Sequence, residues 1–355
     1  MTTTWIDSLT KYGAQLSDDA NLCVATKSHD KSLHLVPLLD QAIIRVDGPD
    51  TDKFLQGQLT CDVARVRSLG SGLGSHCNIK GHMISLARLV STETGMLLRL
   101  PKDTATTAHA ALAKYIVFSK AEIAIDETLV GIGITGRGAA TLVERLTQQV
   151  PSEDEGVIHF GQRTAIRLNK NTFELWLPAD EAAKELADWL EYADLATSNY
   201  WQLNRCLAGE PQVTAATSEA FIPQMTNLQA FEGVSFRKGC YTGQEIITRL
   251  QHRGQLKRPM YLLGSEEQNV NVSDSVSSSS RENIGKVVRV AHADQDAYGQ
   301  PTKPEGPATV FLAVAAKEIA DQDDLRLHSN QGPKAELLEL PYTLDPAMFE
   351  PKHRL

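Results

Sequence analysis

Between Thr128 and about residue 190 the hydrophobic period of this chain changes repeatedly in a set order, and that order limits the fold more than any other feature. Residues 130–134 (Val-Gly-Ile-Gly-Ile) read as a strand, after which Ala139, Leu142, Val143 and Leu146 recur at helical spacing. Residues 164–168 and 173–177 flank Asn169-Lys170-Asn171, whose residue types favour a tight turn and hence a hairpin. Asp180 is placed to cap a second helix whose Leu186, Trp189 and Leu190 share one face. A strand, a helix, a hairpin and a helix in that sequence imply an α+β layer with its helices packed on a sheet.

This β-α-β-β-α order is ferredoxin-like and assigns residues 128–202 to one domain. Before it, residues 42–46 read as a strand and Asp47-Gly48-Pro49 opens a helix carrying Phe54, Leu55, Gln58 and Leu59. Strands are expected at 86–90 and 96–100, and Asp103 is placed to cap a helix reaching about Lys114. Residues 1–32 are polar and weakly patterned, with a short helix near 5–9 followed by a linker, and residues 1–37 are read as an N-terminal extension. After residue 258, apolar runs at 284–290, 309–314 and 336–340 are separated by Gly/Pro-rich turns, the pattern of a small antiparallel β-barrel over 259–355. Residues 269–283, with Ser277 to Ser280 in a row, read as a mobile loop.

With 355 residues, the chain exceeds a single core. No apolar stretch approaches the roughly 18 residues needed to span a bilayer, and the start lacks the basic and apolar segments of a signal peptide, so a cytoplasmic location is expected. Five cysteines without a CxxC pair argue against a disulfide framework and against an autonomous metal site. A formal charge of −9 excludes wholesale nucleic-acid binding through net charge. A local basic run does occur: Arg237, Lys238, Arg249, Arg253, Lys257 and Arg258.

Reactive chemistry concentrates in Lys238-Gly239-Cys240-Tyr241-Thr242-Gly243-Gln244-Glu245. Its glycines permit turns closed to other residues. A partly exposed Cys240 beside Lys238 would have its thiolate favoured, which makes these two the candidate reactive pair. A lone cysteine is also often a small buried hydrophobe, the alternative against which that reading stands.

The octet, with Phe221-Ile222-Pro223-Gln224-Met225-Thr226-Asn227-Leu228 upstream and Arg249 and Arg253-Gly254 downstream, resembles the signature of the YgfZ family, folate-binding relatives of the glycine-cleavage T-protein. The resemblance extends to residues 54–62, to Lys80-Gly81, to Tyr115-Ile116-Val117-Phe118-Ser119-Lys120, and to Trp201 followed by Ala208-Gly209-Glu210-Pro211. It implies a three-domain T-protein-like arrangement around a central hole, in which 38–127 and 203–258 form the folate-binding domain. It further implies tetrahydrofolate as ligand, with Trp201 stacking on the pterin and Arg249 and Arg253 holding the glutamate tail. Members of the family often carry a second aromatic where this chain places Gln41, so Gln41 would replace one stacking surface.

Aminomethyl transfer is the enzymatic alternative, but the stretch that should carry the T-protein's acidic residues reads Lys80-Gly81-His82-Met83-Ile84-Ser85, without a carboxylate to handle protons. The resemblance instead implies a folate-dependent accessory factor for iron–sulfur enzymes or their assembly proteins, linked indirectly to tRNA thiolation. Cys240 would act there through a mixed disulfide, a folate one-carbon unit or a transient iron–sulfur cluster, which needs about four protein ligands. A direct RNA-binding module, motivated by the basic run, is the remaining alternative.

Overall fold

The computed structural model describes residues 3–16, 22–24, 32–302, 306–322 and 324–350. Three large sheets organise it, beside a two-stranded one of Ala14–Leu16 and Leu22–Val24. An antiparallel sheet of five strands runs in the spatial order Ser71–Cys77, Met83–Ser91, Gly95–Pro101, Gln41–Asp47, Glu122–Asp126. The helices Thr51–Gln58, Val63–Leu69 and Lys102–Ile116 pack on it, burying Phe54, Leu55, Val66, Ala108 and Leu112 against Ile44, Leu89 and Leu98.

The middle layer confirms the expected hairpin, Arg163–Asn169 with Thr172–Pro178, and its neighbour Leu129–Gly136, with helices Ala139–Thr147 and Ala179–Trp189. The described parts of residues 1–37 do not form a separate appendage. Leu33–Pro37 pairs antiparallel with Leu129–Gly136, and the short strand Asp194–Leu195 adds in parallel beyond it. The helix Thr3–Lys11 buries Trp5 and Leu9 in the same core as Phe173 and Trp189. Two large side chains spaced four apart are enough to dock an otherwise polar helix, since each fully buried one contributes about 1.5–3 kcal/mol.

The last third closes into a six-stranded antiparallel barrel in the order Met260–Ser265, Thr309–Ala315, Gly285–His292, Ser275–Ser277, Leu325–Leu327, Lys334–Leu338. One expectation fails here. Residues 269–283 are not a mobile loop, because Ser275–Ser277 is a barrel strand with Val276, Ser277 and Ser278 fully buried. Their hydroxyls are satisfied locally: Ser277 Oγ accepts the Asn283 N–H at 3.2 Å and Ser278 Oγ the Arg281 N–H at 3.0 Å. Both aspartates expected as helix caps sit two residues inside their helices, whose caps are Pro101 and Pro178. Asp103 instead accepts the Ala215 N–H at 2.9 Å, tying the first sheet to the segment that follows the middle layer.

Candidate functional site

The octet is seated between two other segments distant in sequence. On one side lies the end of the helix Thr51–Gln58 and the residues after it. Thr242 N–H donates to the Gly57 carbonyl at 3.2 Å, Ser235 N–H to Thr60 at 2.9 Å, and the Thr60 hydroxyl to Gly233 at 2.5 Å. On the other side lies the turn 78–82. Gly243 has φ +82°, and a Cβ there would stand 2.5 Å from the Asn78 carbonyl; Gly81 has φ +76°, and a Cβ there would stand 3.2 Å from the Ile246 side chain and 3.4 Å from the Gly243 carbonyl. Both glycines are required because the two turns meet backbone to backbone. Tyr241 and Ile247 then enter a core shared with Phe221, Met260 and Leu312 of the barrel.

Lys238 does not spend its ammonium on the neighbouring thiol. It donates to the carbonyls of Leu59 and Cys61 at 2.8 and 2.7 Å and lies 4.9 Å from the centroid of the Tyr241 ring. Burial lowers its pKa to about 8, against the opposing pull of Cys61 and Asp62. Cys240 is exposed, whereas Cys61, Cys77 and Cys206 are buried. Burial pushes those three thiols up to about 11, 12 and 12. Among the described residues, no group of three or more His, Cys, Asp or Glu side chains is arranged to hold a metal ion.

Gln244 and Glu245 open the helix Gln244–Arg253, whose outer face, with Thr248, Arg249 and His252, lines a shallow depression of about 610 Å³. Arg249 is paired with Glu245 at 2.8 Å and both are exposed, an interaction worth only about 0.3–0.5 kcal/mol. The Arg253 side chain lies outside the described residues. The turn 78–82 carries no acid of its own. Chain topology nevertheless brings one to it: the Asn78 amide donates to Glu219 at 2.8 Å.

Trp201 and Gln41 belong to a different place, the junction of the three sheets. Trp201 is 4% exposed; a Cβ on Gly133 would come within 2.5 Å of its ring, and the Arg205 guanidinium lies 5.1 Å from the ring centroid. The indole is therefore built into the junction, and no open face is left for a pterin. Around it is a charged cluster that the sequence reading did not identify. Glu210 is 3% exposed and lies within 4 Å of Arg88 (2.9 Å), Arg205 (3.5 Å), Arg99 (3.8 Å) and Arg289 (3.9 Å). Arg88 also pairs with Glu155, and Arg99 with Glu174 at 2.7 Å. The arginines come from two strands of the first sheet, the helix Ser198–Leu207 and the barrel strand Gly285–His292, Glu174 from a strand of the middle sheet, and Glu210 and Glu155 from connecting segments, so the cluster clamps all three units. Burial alone would raise the Glu210 carboxyl, but the four guanidinium groups, Arg88 foremost, hold it well below the ordinary carboxylate range.

At the margin of the cluster the side chains become partly exposed and uncharged donors appear. Arg289 donates to Gln202 at 2.8 Å, Gln202 to Asp40 at 2.9 Å, and Arg99 to Gln41 at 3.3 Å. Burial raises the Asp40 carboxyl above its usual value. The predicted folate contacts therefore do not assemble in one place: Gln41 is on this margin, Trp201 behind it, and Arg249 on the helix that follows Cys240. What the margin does offer is one carboxyl and two side-chain amides, partly exposed polar groups of the kind that hydrogen-bond the edge of a flat heterocycle.

No family model matches the chain. It is 33% identical over 316 residues to the tRNA-modifying protein YgfZ of Serratia proteamaculans, covering 88% of this chain and 93% of that protein. With the tRNA-modifying protein YgfZ of Escherichia fergusonii it shares 38% identity over 240 residues, 67% of this chain and 74% of the relative. Among solved structures it resembles the glycine cleavage system aminomethyltransferase T of Bartonella henselae, with a TM-score of 0.68 at 15% identity, covering 96% of this chain and 97% of that one. That last likeness concerns the fold.

Proposed function

The chain belongs to the YgfZ family, and from that premise we propose that it is a tetrahydrofolate-binding accessory protein that supports assembly or repair of iron–sulfur enzymes and, through them, tRNA thiolation. The observation that carries this reading is Cys240: an exposed thiol on a segment pinned by Lys238 and by two backbone-to-backbone glycine contacts. A structural cysteine has no need of so much support while standing in solvent.

In this reading Asp40, Gln41 and Gln202 hold the pterin edge, and bound tetrahydrofolate supplies nitrogen atoms that carry one-carbon units. The chain's own residues orient that ring, and the arginine cluster behind them keeps the junction rigid. Cys240 provides a single thiolate. Since an iron–sulfur cluster needs about four ligands, the others would come from the client protein. The test is a strain lacking its own family member: the wild-type chain should restore iron–sulfur enzyme activity and Cys240→Ser should not. Full restoration by Cys240→Ser, at equal protein level, overturns the assignment.

A further inference from the structure

At the end of the helix Lys102–Ile116, Tyr115, Val117 and Phe118 are 45%, 72% and 89% exposed. They cover no core, because Leu112 and Ile116 already fill the inner face of that helix. The turn that presents them is nonetheless anchored. Ser119 N–H donates to the Ile116 carbonyl at 2.8 Å, Lys120 N–H to the Asp50 carboxylate at 2.8 Å, and Asp50 N–H back to the Lys120 carbonyl at 3.3 Å. A firmly held turn that offers an aromatic ring to solvent is a surface for contact.

Cations surround it. Lys114 and Lys120 flank the aromatics, and Lys53 is exposed in the first turn of the helix Thr51–Gln58, which starts beside Asp50. That helix is about 12 Å long at ~1.5 Å per residue. Its last turn carries Gly57, the acceptor for Thr242 of the octet. There Arg237 and Lys80 are exposed, next to Ile79, which is 80% exposed. None of these five cations has an ion pair with a described carboxylate. Of the nearby acids, Asp50 holds the Lys120 amide, Asp52 pairs with Arg67 at 2.7 Å, and Glu219, beside the turn that carries Lys80, accepts from the Asn78 amide at 2.8 Å, while Glu122 lies on the neighbouring strand.

We propose that this face binds unpaired RNA, with bases stacked on Phe118 and Tyr115 and the phosphate backbone running past Lys114, Lys120 and Lys53 toward Cys240. In a chain of net charge −9, five cations without an ion pair among the described residues, two of them flanking the exposed aromatics, match the alternation of base and phosphate. A purely apolar protein partner would desolvate those cations without pairing them. The inference goes beyond the function proposed above, where the link to tRNA runs through client enzymes, and it is independent of the Cys240→Ser result.

The test is fluorescence anisotropy of the full chain with a labelled mixed-sequence RNA of about eight nucleotides, alone and annealed to its complement. The single strand should bind in preference to the duplex. Phe118→Ala should weaken it about tenfold or more, the loss of one stacked base, with no change in salt dependence. Lys120→Ala should flatten the salt slope by about 0.7, one phosphate contact. Thermal melts of both variants should match the wild type, since neither side chain is buried. No binding at low salt, duplex bound as well as single strand, or Phe118→Ala binding like wild type would each overturn the proposal; a face built for a protein partner gives the first of these.

Discussion

Exchanging Glu210 for glutamine alters one charge at the junction while keeping the shape of the side chain. In the wild type, four guanidinium groups face the carboxylates of Glu155, Glu174 and Glu210. With glutamine at 210, four would face two, and Arg205 and Arg289 would lose the carboxylate that each pairs with at 3.5 and 3.9 Å. A single pair at that separation is worth ~5 kcal/mol at an effective dielectric near 20, before desolvation is subtracted. Breaking a buried pair by removing one partner costs about 3–5 kcal/mol in practice, and Glu210→Gln should fall in that range. Urea unfolding followed by tryptophan fluorescence reads the site directly, because Trp176 donates to Glu174 and Trp201 lies under Arg205. The sign with pH follows from the direction of the shift. A carboxyl whose folded pKa is depressed stabilises fully above its unfolded value of about 4.3, and that contribution fades as pH falls toward the folded value. The gap between wild type and variant should therefore be intact at pH 6 and narrow only below about pH 4. A variant within about 1 kcal/mol of wild type at neutral pH would refute the idea that Glu210 organises the junction.

Other consequences are testable one residue at a time. Gly243→Ala should lower stability by about 1–3 kcal/mol in a thermal melt, because φ is positive and the new Cβ meets the Asn78 carbonyl; Gly239→Ala, with nothing within 4 Å, should leave the melt unchanged. Among the described cysteines, alkylation followed by peptide mass spectrometry should label Cys240 first, and Cys61, Cys77 and Cys206 only after denaturation; early labelling of Cys77 would show that the barrel-side core opens. The Lys238 side-chain carbon signals should titrate near pH 8. As a lysine whose folded pKa is lowered, it destabilises the fold below pH 8, and that penalty is relieved as pH rises toward about 10.4; a titration midpoint near 10 would show that the ammonium is solvated in the folded chain.

The parts of the fold governed by local pattern were legible. Alternation and turn residues located the hairpin of the middle layer, and apolar runs between Gly/Pro turns indicated the barrel. Ser71–Cys77 escaped notice because Ser-Gly-Leu-Gly-Ser-His-Cys lacks apolar alternation, yet all seven residues are buried. Gly74 shows why: a Cβ there would strike the Cys61 sulfur at 2.5 Å, so the strand is chosen for closeness rather than bulk. The arginine cluster left a signal that pattern reading passed over. Arg88, Arg99, Glu174 and Arg289 each interrupt an apolar strand, and a charge in such a place must find a partner across a domain boundary. Within the octet, adjacency in sequence suggested a Lys238–Cys240 pair that the fold does not make. Lys238 adjoins Cys240 along the chain, whereas the carbonyls that hold its ammonium lie 177 and 179 residues away.

Folate binding at the junction can be measured directly. Isothermal titration of the purified chain with tetrahydrofolate should give saturable binding that Gln41→Ala weakens about tenfold, the loss of one hydrogen bond to a bound polar edge. Gln41 is the better probe than Trp201, whose removal would empty a buried site at a cost of about 3–5 kcal/mol. Binding that Gln41→Ala weakens, in a variant that melts like wild type, is the predicted result; no heat of binding in the wild type, up to the solubility of the ligand, would contradict it.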